Sequence, residues 1–124
     1  MFTLTKNTVF TGDNAGLTST AKVQTDGSDK RDIDLPADSA DVEIDVDIKV
    51  AQCKGIVLLC DQDVTLKTNS SEEPTQTIEL DAGRDLSWLD GQGENPFSAD
   101  VTKLYATCTN AANLKIWNYS DATP

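Results

Sequence analysis

The sequence predicts an all-β fold: a single antiparallel β-sandwich, jelly-roll-like, or a small barrel. Three observations predict it. Residues 41–50, DVEIDVDIKV, alternate charged and apolar side chains without a break, the period of a half-buried strand. Short runs of the same kind recur between clusters of Gly, Pro, Asn, Asp and Ser. Helical periodicity is nearly absent. Its one candidate is SADVTKLYA at 98–106, where Ser98 could cap a helix presenting Val101, Leu104 and Tyr105.

Taken in order, FTLT at 2–5 opens a strand and TGDNAG at 11–16 is a loop. LTSTAKVQ at 17–24 is a weakly alternating strand. TDGSDKRDIDLPADSA at 25–40 is polar and holds Gly27 and Pro36, so it is expected to be irregular and anchored by Ile33 and Leu35. A strand at 41–52 follows, then a tight turn at Lys54-Gly55. IVLLC at 56–60 is apolar on both faces, as a strand covered on both sides requires. DQD is a turn, VTLKT at 64–68 a strand and NSSEEP a solvated loop. TQTIEL at 75–80 and LSWL at 86–89 are short strands, and DGQGENPF is a Gly-rich loop. VTKLYATCTN at 101–110 alternates Leu104, Ala106 and Cys108 against Lys103, Tyr105 and Thr107. In AANLKIWNYS at 111–120, Leu114 and Ile116 are in phase. The expected core is Val42, Ile44, Val46, Ile48, Ile56, Leu58, Leu66, Ile78, Leu114 and Ile116. The 124 residues fit one domain over 1–124, with an N-terminal arm at 1–16 and a frayed tail at 120–124.

Composition limits function. Asp and Glu number 21 against 10 Lys and Arg, a formal charge of −11. That balance opposes nucleic-acid phosphate and anionic lipid, and favours a basic protein surface. The chain has no histidine, which removes Ser-His-Asp and Cys-His catalysis and the usual imidazole ligands for zinc. No spacing of Asp, Glu, Lys or Cys replaces them, so the expectation is a protein that is not an enzyme and carries no cofactor or metal. The N-terminus shows no basic and apolar leader pattern, and GIVLL at 55–59 is too short to span a bilayer. Cys53, Cys60 and Cys108 form no CxxC pair and read as buried free thiols of a protein made in a reducing cytoplasm.

Asp41, Glu43, Asp45 and Asp47 line one side of a straight strand, with neighbours roughly 6.5–7 Å apart. A cation cage needs a curved loop, so this row reads as a solvated face, with docking of a basic partner as the alternative. Asp61, Asp63, Thr65 and Glu72 match an EF-hand spacing, but Leu66 stands where the sharp turn needs Gly. The acidic stretch 25–38 is more able to wrap a cation. Trp88, with Asp90, Glu94 and Asn95 in the next loop, is a candidate sugar platform if exposed and a sandwich plug if buried. Phe2, Leu4, Val9 and Phe10 give the N-terminal segment more apolar anchors than a loop needs, and are the candidate partner-binding residues.

Residues 65–118 resemble small β-sandwich structural proteins of tailed-phage virions. The pieces that carry the likeness are Thr77–Leu80, Ala82-Gly83, Trp88, Gly91–Gly93, Asn95-Pro96-Phe97 and Asp100–Thr102, followed by a Thr/Asn-rich final hairpin. The resemblance implies a head-decoration-like accessory protein made in the bacterial host cytoplasm and carried on the virion. It would bind a major capsid or other virion protein as a homo-oligomer, such as a trimer, without nucleic acid or membrane. A carbohydrate- or receptor-binding module, as on a phage tail, is the alternative. No residue in the likeness carries chemistry.

Overall fold

The computed structural model describes residues 2–12 and 15–121. Within them ten strands form: β1 Phe2–Gly12, β2 Ala15–Thr25, β3 Gly27–Leu35, β4 Ser39–Ile48, β5 Cys53–Cys60, β6 Val64–Thr68, β7 Thr77–Leu80, β8 Leu86–Leu89, β9 Val101–Cys108 and β10 Ala112–Ser120. One 3-10 turn, Val50–Gln52, separates β4 from β5. Strands β3–β10 make two four-stranded antiparallel sheets, in the orders β3-β10-β5-β8 and β4-β9-β6-β7. From β3 to β10 consecutive strands alternate between the sheets, except β6 and β7, which pair as a hairpin within one sheet. β3, β4, β5 and β6 thus pair with β10, β9, β8 and β7, as an antiparallel ribbon wound over itself. This is the double Greek key of a jelly roll. β1 and β2 pair only with each other, as a separate hairpin.

Alternation explains why the two sheets stack. On β4, Ile44, Val46 and Ile48 are buried while Glu43, Asp45 and Asp47 face water. They meet Leu104 and Ala106 of β9, Leu66 of β6 and Ile78 of β7, with Ile56 and Leu58 of β5 and Leu114 and Ile116 of β10 from the other sheet. Every predicted core residue lies in the observed core, except Val42, which is half-buried at its margin, and the core also takes in residues that were not predicted, among them Leu35, Val64, Leu80, Val101 and Leu104. Phe97, 1% exposed, adds the largest buried side chain, contributed by the NPF loop. Residues 98–106 form no helix; Val101–Cys108 is a strand.

Three expectations need correction. The stretch 25–40 is not irregular: Gly27–Leu35 is an edge strand paired along its length with β10, with Leu35 opposite Ala112 and Ile33 opposite Leu114. Its charges occupy both faces of this edge strand: Asp29 and Arg31, in phase with Ile33 and Leu35, pair with each other (3.3 Å), and on the opposite face Lys115 pairs with Asp32 (2.8 Å). Lys54-Gly55 is no turn, because β5 includes both residues, with a register shift against β10 at Lys54, and β4 and β5 lie in different sheets. The chain reverses one step earlier, at Val50–Gln52. Finally, of the expected loop 11–16, Thr11 and Gly12 belong to β1 and Ala15 and Gly16 to β2, and positions 13–14 lie outside the described residues. The expected arm, 1–16, accordingly extends to Thr25. Of the expected tail, Ser120 belongs to β10, and 122–124 also fall outside the described residues.

All three cysteines are free and buried. Burial pushes the Cys53 and Cys60 thiols above their ordinary ionisation range. For Cys53, whose Sγ lies 3.3 Å from Asn118 Oδ1, hydrogen bonding by the Asn95 side chain and the Gly55 backbone offsets part of that rise.

Candidate functional site

The β1–β2 hairpin is an arm of two 11-residue strands, roughly 35 Å long at strand rise. Its register runs without a bulge from Phe2 opposite Thr25 to Gly12 opposite Ala15. Because side chains alternate, Phe2, Leu4, Lys6, Thr8 and Phe10 share one face with Leu17, Ser19, Ala21, Val23 and Thr25. The other face is Thr-rich and ties its own strands together: Thr20 Oγ1 bonds Asn7 Oδ1 (3.0 Å) and Gln24 Nε2 bonds Thr3 Oγ1 (2.9 Å). Thr, being β-branched, suits a strand that must hold its shape with little packing.

The base of the arm is seated on the outer face of the β3-β10-β5-β8 sheet. Leu4 lies over Gly55, whose missing side chain makes the seat: a Cβ there would stand 2.5 Å from Leu4 Cδ2. Phe2 meets Tyr119 edge-on, with ring centroids 6.2 Å apart. Lys6 Nζ donates to the Ser87 carbonyl (3.3 Å), and Thr25 Oγ1 donates to the Ser120 carbonyl (2.8 Å). Leu89 and Tyr119 are buried here, outside the central core, in a second apolar cluster under the arm. Beyond Lys6 the arm lifts away. A cleft of about 690 Å³ separates Thr8, Val9 and Phe10 from Val57, Asp85, Leu86 and Ser87. Past that point Val9, Phe10 and Leu17 are 63%, 67% and 65% exposed. Such exposure of three large apolar side chains on one small tip marks an interaction surface.

The four predicted partner-binding residues are therefore all on the arm, but they divide. Phe2 and Leu4 hold it to the body, while Val9 and Phe10 project. Sequence reasoning missed Leu17, which lies directly across the hairpin from Phe10. Its signal was present: it is the one large apolar residue of the Thr/Ser-rich half of β2.

The alternative set sits elsewhere. Trp88 lies on edge strand β8, half-buried, with its ring packed on the core and Nε1 donating to the Gly93 carbonyl (3.1 Å). Asn95 Oδ1 accepts the Phe97 N–H (2.9 Å), and its buried side-chain amide lies against the Cys53 thiol. Asp90 is exposed and pairs with Lys54 (3.4 Å); Glu94 is exposed. Gly91 and Gly93 adopt φ of 96° and 77°, which only glycine takes readily, so the loop bends back to meet the indole. These contacts put Trp88 and Asn95 to structural use.

The acidic row on β4 is locally neutralised. Lys103, opposite Asp45 on β9, bonds Glu43 and Asp45 (3.2 Å to the latter), and Lys67 reaches Asp41 (3.3 Å). The Glu43 and Asp45 hydrogen bonds hold the Lys103 ammonium above its usual range. β4 is also a sheet edge, broken by register shifts near Asp41 and Asp47, with Asp41 at φ 47°. Acids and bulges together keep such an edge from pairing with its like. Among the described residues no group of His, Cys, Asp or Glu is arranged to hold a metal ion.

Compared with known proteins, the chain matches no family model, no curated protein and no solved structure.

Proposed function

We propose that this chain is a non-enzymatic structural protein of a phage particle, an auxiliary protein that joins the virion shell as a homo-oligomer and attaches by its β1–β2 arm. The observation that carries this reading is the arm itself: a hairpin anchored at its base whose far end exposes Val9, Phe10 and Leu17. An isolated hairpin is marginal in water, and this one is longer than its seat requires. The arm's charge supports the reading. Of 10 basic and 21 acidic residues, Lys6, Lys22 and Asp13 belong to residues 2–25, leaving 8 basic and 20 acidic residues for the rest. The arm is thus close to neutral while the rest of the chain is strongly acidic. The jelly-roll architecture is shared by viral capsid and lectin domains, so it is compatible with the proposal without carrying it.

The test is association with particles. The expected result is that wild-type protein co-sediments with virions from its host, while a Phe10→Ser, Leu17→Ser variant remains in the supernatant although folded. Equal co-sedimentation of both would overturn the role of the arm. Absence of the wild type from particles would overturn the virion assignment.

A further inference from the structure

We propose that two copies of this chain join arm to arm: the outer edge of β2 pairs antiparallel with the same edge of a second copy, turning two hairpins into one four-stranded plate. This supplies the contact of the homo-oligomer proposed above and rests on that reading.

The backbone supplies the first argument. No backbone hydrogen bond joins β1 or β2 to any other described element; their ladder is with each other alone. A two-stranded ribbon standing in water is marginal and gains stability from further strands. Past Lys6 the arm is such a ribbon. The cleft against the body is bordered by Lys6–Phe10 of β1 and by no residue of β2, so β2 carries the open edge. Along it Ala15–Thr20 are all exposed, uncharged and free of proline, and the hairpin register has no bulge. Such an edge is a template for another strand.

The other sheet edges of the chain do not match it. β3 presents Asp29, Lys30, Arg31 and Asp32, β4 is acidic and broken by register shifts, and β7 and β8 have four residues each. The edge that fits β2 is β2 of a second copy. Side chains then set the register. Directly opposite residues share a face of the sheet, and a two-fold axis at Leu17 sets Leu17 of one copy opposite Leu17 of the other. Within each hairpin Phe10 is opposite Leu17. The plate therefore carries an unbroken apolar row across its four strands, Phe10 and Leu17 of one copy, then Leu17 and Phe10 of the second. Beside the axis Ser19 falls opposite Ala15 and Thr18 opposite Gly16, so small side chains meet at the junction. One self-complementary edge closes the assembly at two copies. The pairing uses the edge alone, and the apolar row stays open to the shell.

Disulfide capture reads this register, because the three native thiols are buried. Leu17→Cys and Phe10→Cys proteins are each incubated with oxidised glutathione. Directly opposite residues have Cα atoms about 4.5–5.5 Å apart, within disulfide reach. The two Phe10 positions are three strand spacings apart, roughly 14 Å. Leu17→Cys is expected to give a disulfide-linked dimer, and Phe10→Cys, at a site 67% exposed against 65% for Leu17, to remain monomeric. Equal linkage of the two variants, or no linkage at Leu17, would overturn the proposal. Sedimentation equilibrium provides the second readout. The wild-type chain is expected to be dimeric at roughly 100 µM. Leu17→Lys, which sets like charges opposite each other, is expected to raise the dissociation constant about tenfold or more. A monomeric wild type that still enters particles would overturn arm pairing and leave the attachment reading standing. A dimer with the expected linkage pattern that is absent from particles would support the pairing and overturn the virion assignment.

Discussion

Leu4 occupies the space that a side chain on Gly55 would need: a Cβ at Gly55 would stand 2.5 Å from Leu4 Cδ2. Gly55 sits in a central strand, a place where glycine weakens a sheet, and close approach of another chain segment is a recurring reason for it. Gly55→Ala is expected to unseat the base of the arm and cost about 1–3 kcal/mol by urea unfolding. In a Leu4→Ala background the same change is expected to cost at least about 1 kcal/mol less. Additivity of the two substitutions would contradict the seat.

That relationship also explains one misreading of the sequence. Lys-Gly between two apolar runs is turn chemistry, but Gly55 answers to Leu4, 51 positions away in the chain, so no local rule could reveal it. The sandwich from β4 onward was largely legible because most of its strands are apolar on one face and polar on the other, and β5 is a short run apolar on both. VTLKT and LSWL coincide with β6 and β8 to the residue. β3 was hidden because Asp29, Lys30, Arg31 and Asp32 mask an alternation of which only Ile33 and Leu35 reach the core margin. The arm was half legible. Its anchors were recognised one strand at a time, but Thr-rich strands with little apolar contrast gave no register, and without register Leu17 could not be placed opposite Phe10.

Asn69 pins the loop after β6 to β9. It adopts φ 67°, its Oδ1 accepts the Thr102 N–H (2.9 Å), and its Nδ2 donates to the Asp100 carbonyl (2.9 Å). Asn69→Ala loses both bonds and keeps the strained backbone, and is expected to cost about 2–4 kcal/mol. Asn69→Gly loses the bonds but relaxes the backbone, and should be about 1 kcal/mol less damaging in thermal or urea unfolding. Equal losses for the two variants would remove the conformational part of the explanation.

The thiols predict alkaline sensitivity. Cys53 and Cys60 are both raised above 9.0, chiefly by burial. Below their ordinary value, folded and unfolded chains both hold the protons, so these groups leave stability independent of pH. Above it the unfolded chain ionises first, and stability falls with rising pH until the folded thiols ionise as well. Urea titrations between about pH 8 and pH 10.5 should show this fall. A Cys60→Ala variant, less stable at pH 7, should lose less on going alkaline; an unchanged slope would count against the thiol as its source.

The acidic face of β4 is expected to be dispensable for folding. Asp45→Asn and Asp47→Asn should each change stability by no more than about 0.5 kcal/mol, because exposed ion pairs are worth little. Lys103→Met leaves Glu43 and Asp45 facing each other without their cation, and should destabilise modestly at low salt and recover in about 0.5 M NaCl. Unfolding midpoints at two salt concentrations check both. If the Asp variants also leave particle association and its salt dependence unchanged, the face serves solubility alone.

The central claim is that the arm tip is the attachment surface, and incorporation into particles measures it most directly. Wild-type protein and the Phe10→Ser, Leu17→Ser variant would be expressed separately in the host during particle production, and their copy number per purified particle read by quantitative mass spectrometry. The account predicts a fixed number of wild-type copies per particle and at least a tenfold lower number for the variant, with unchanged solution stability because both side chains are exposed. Equal copy numbers for the two proteins would contradict it.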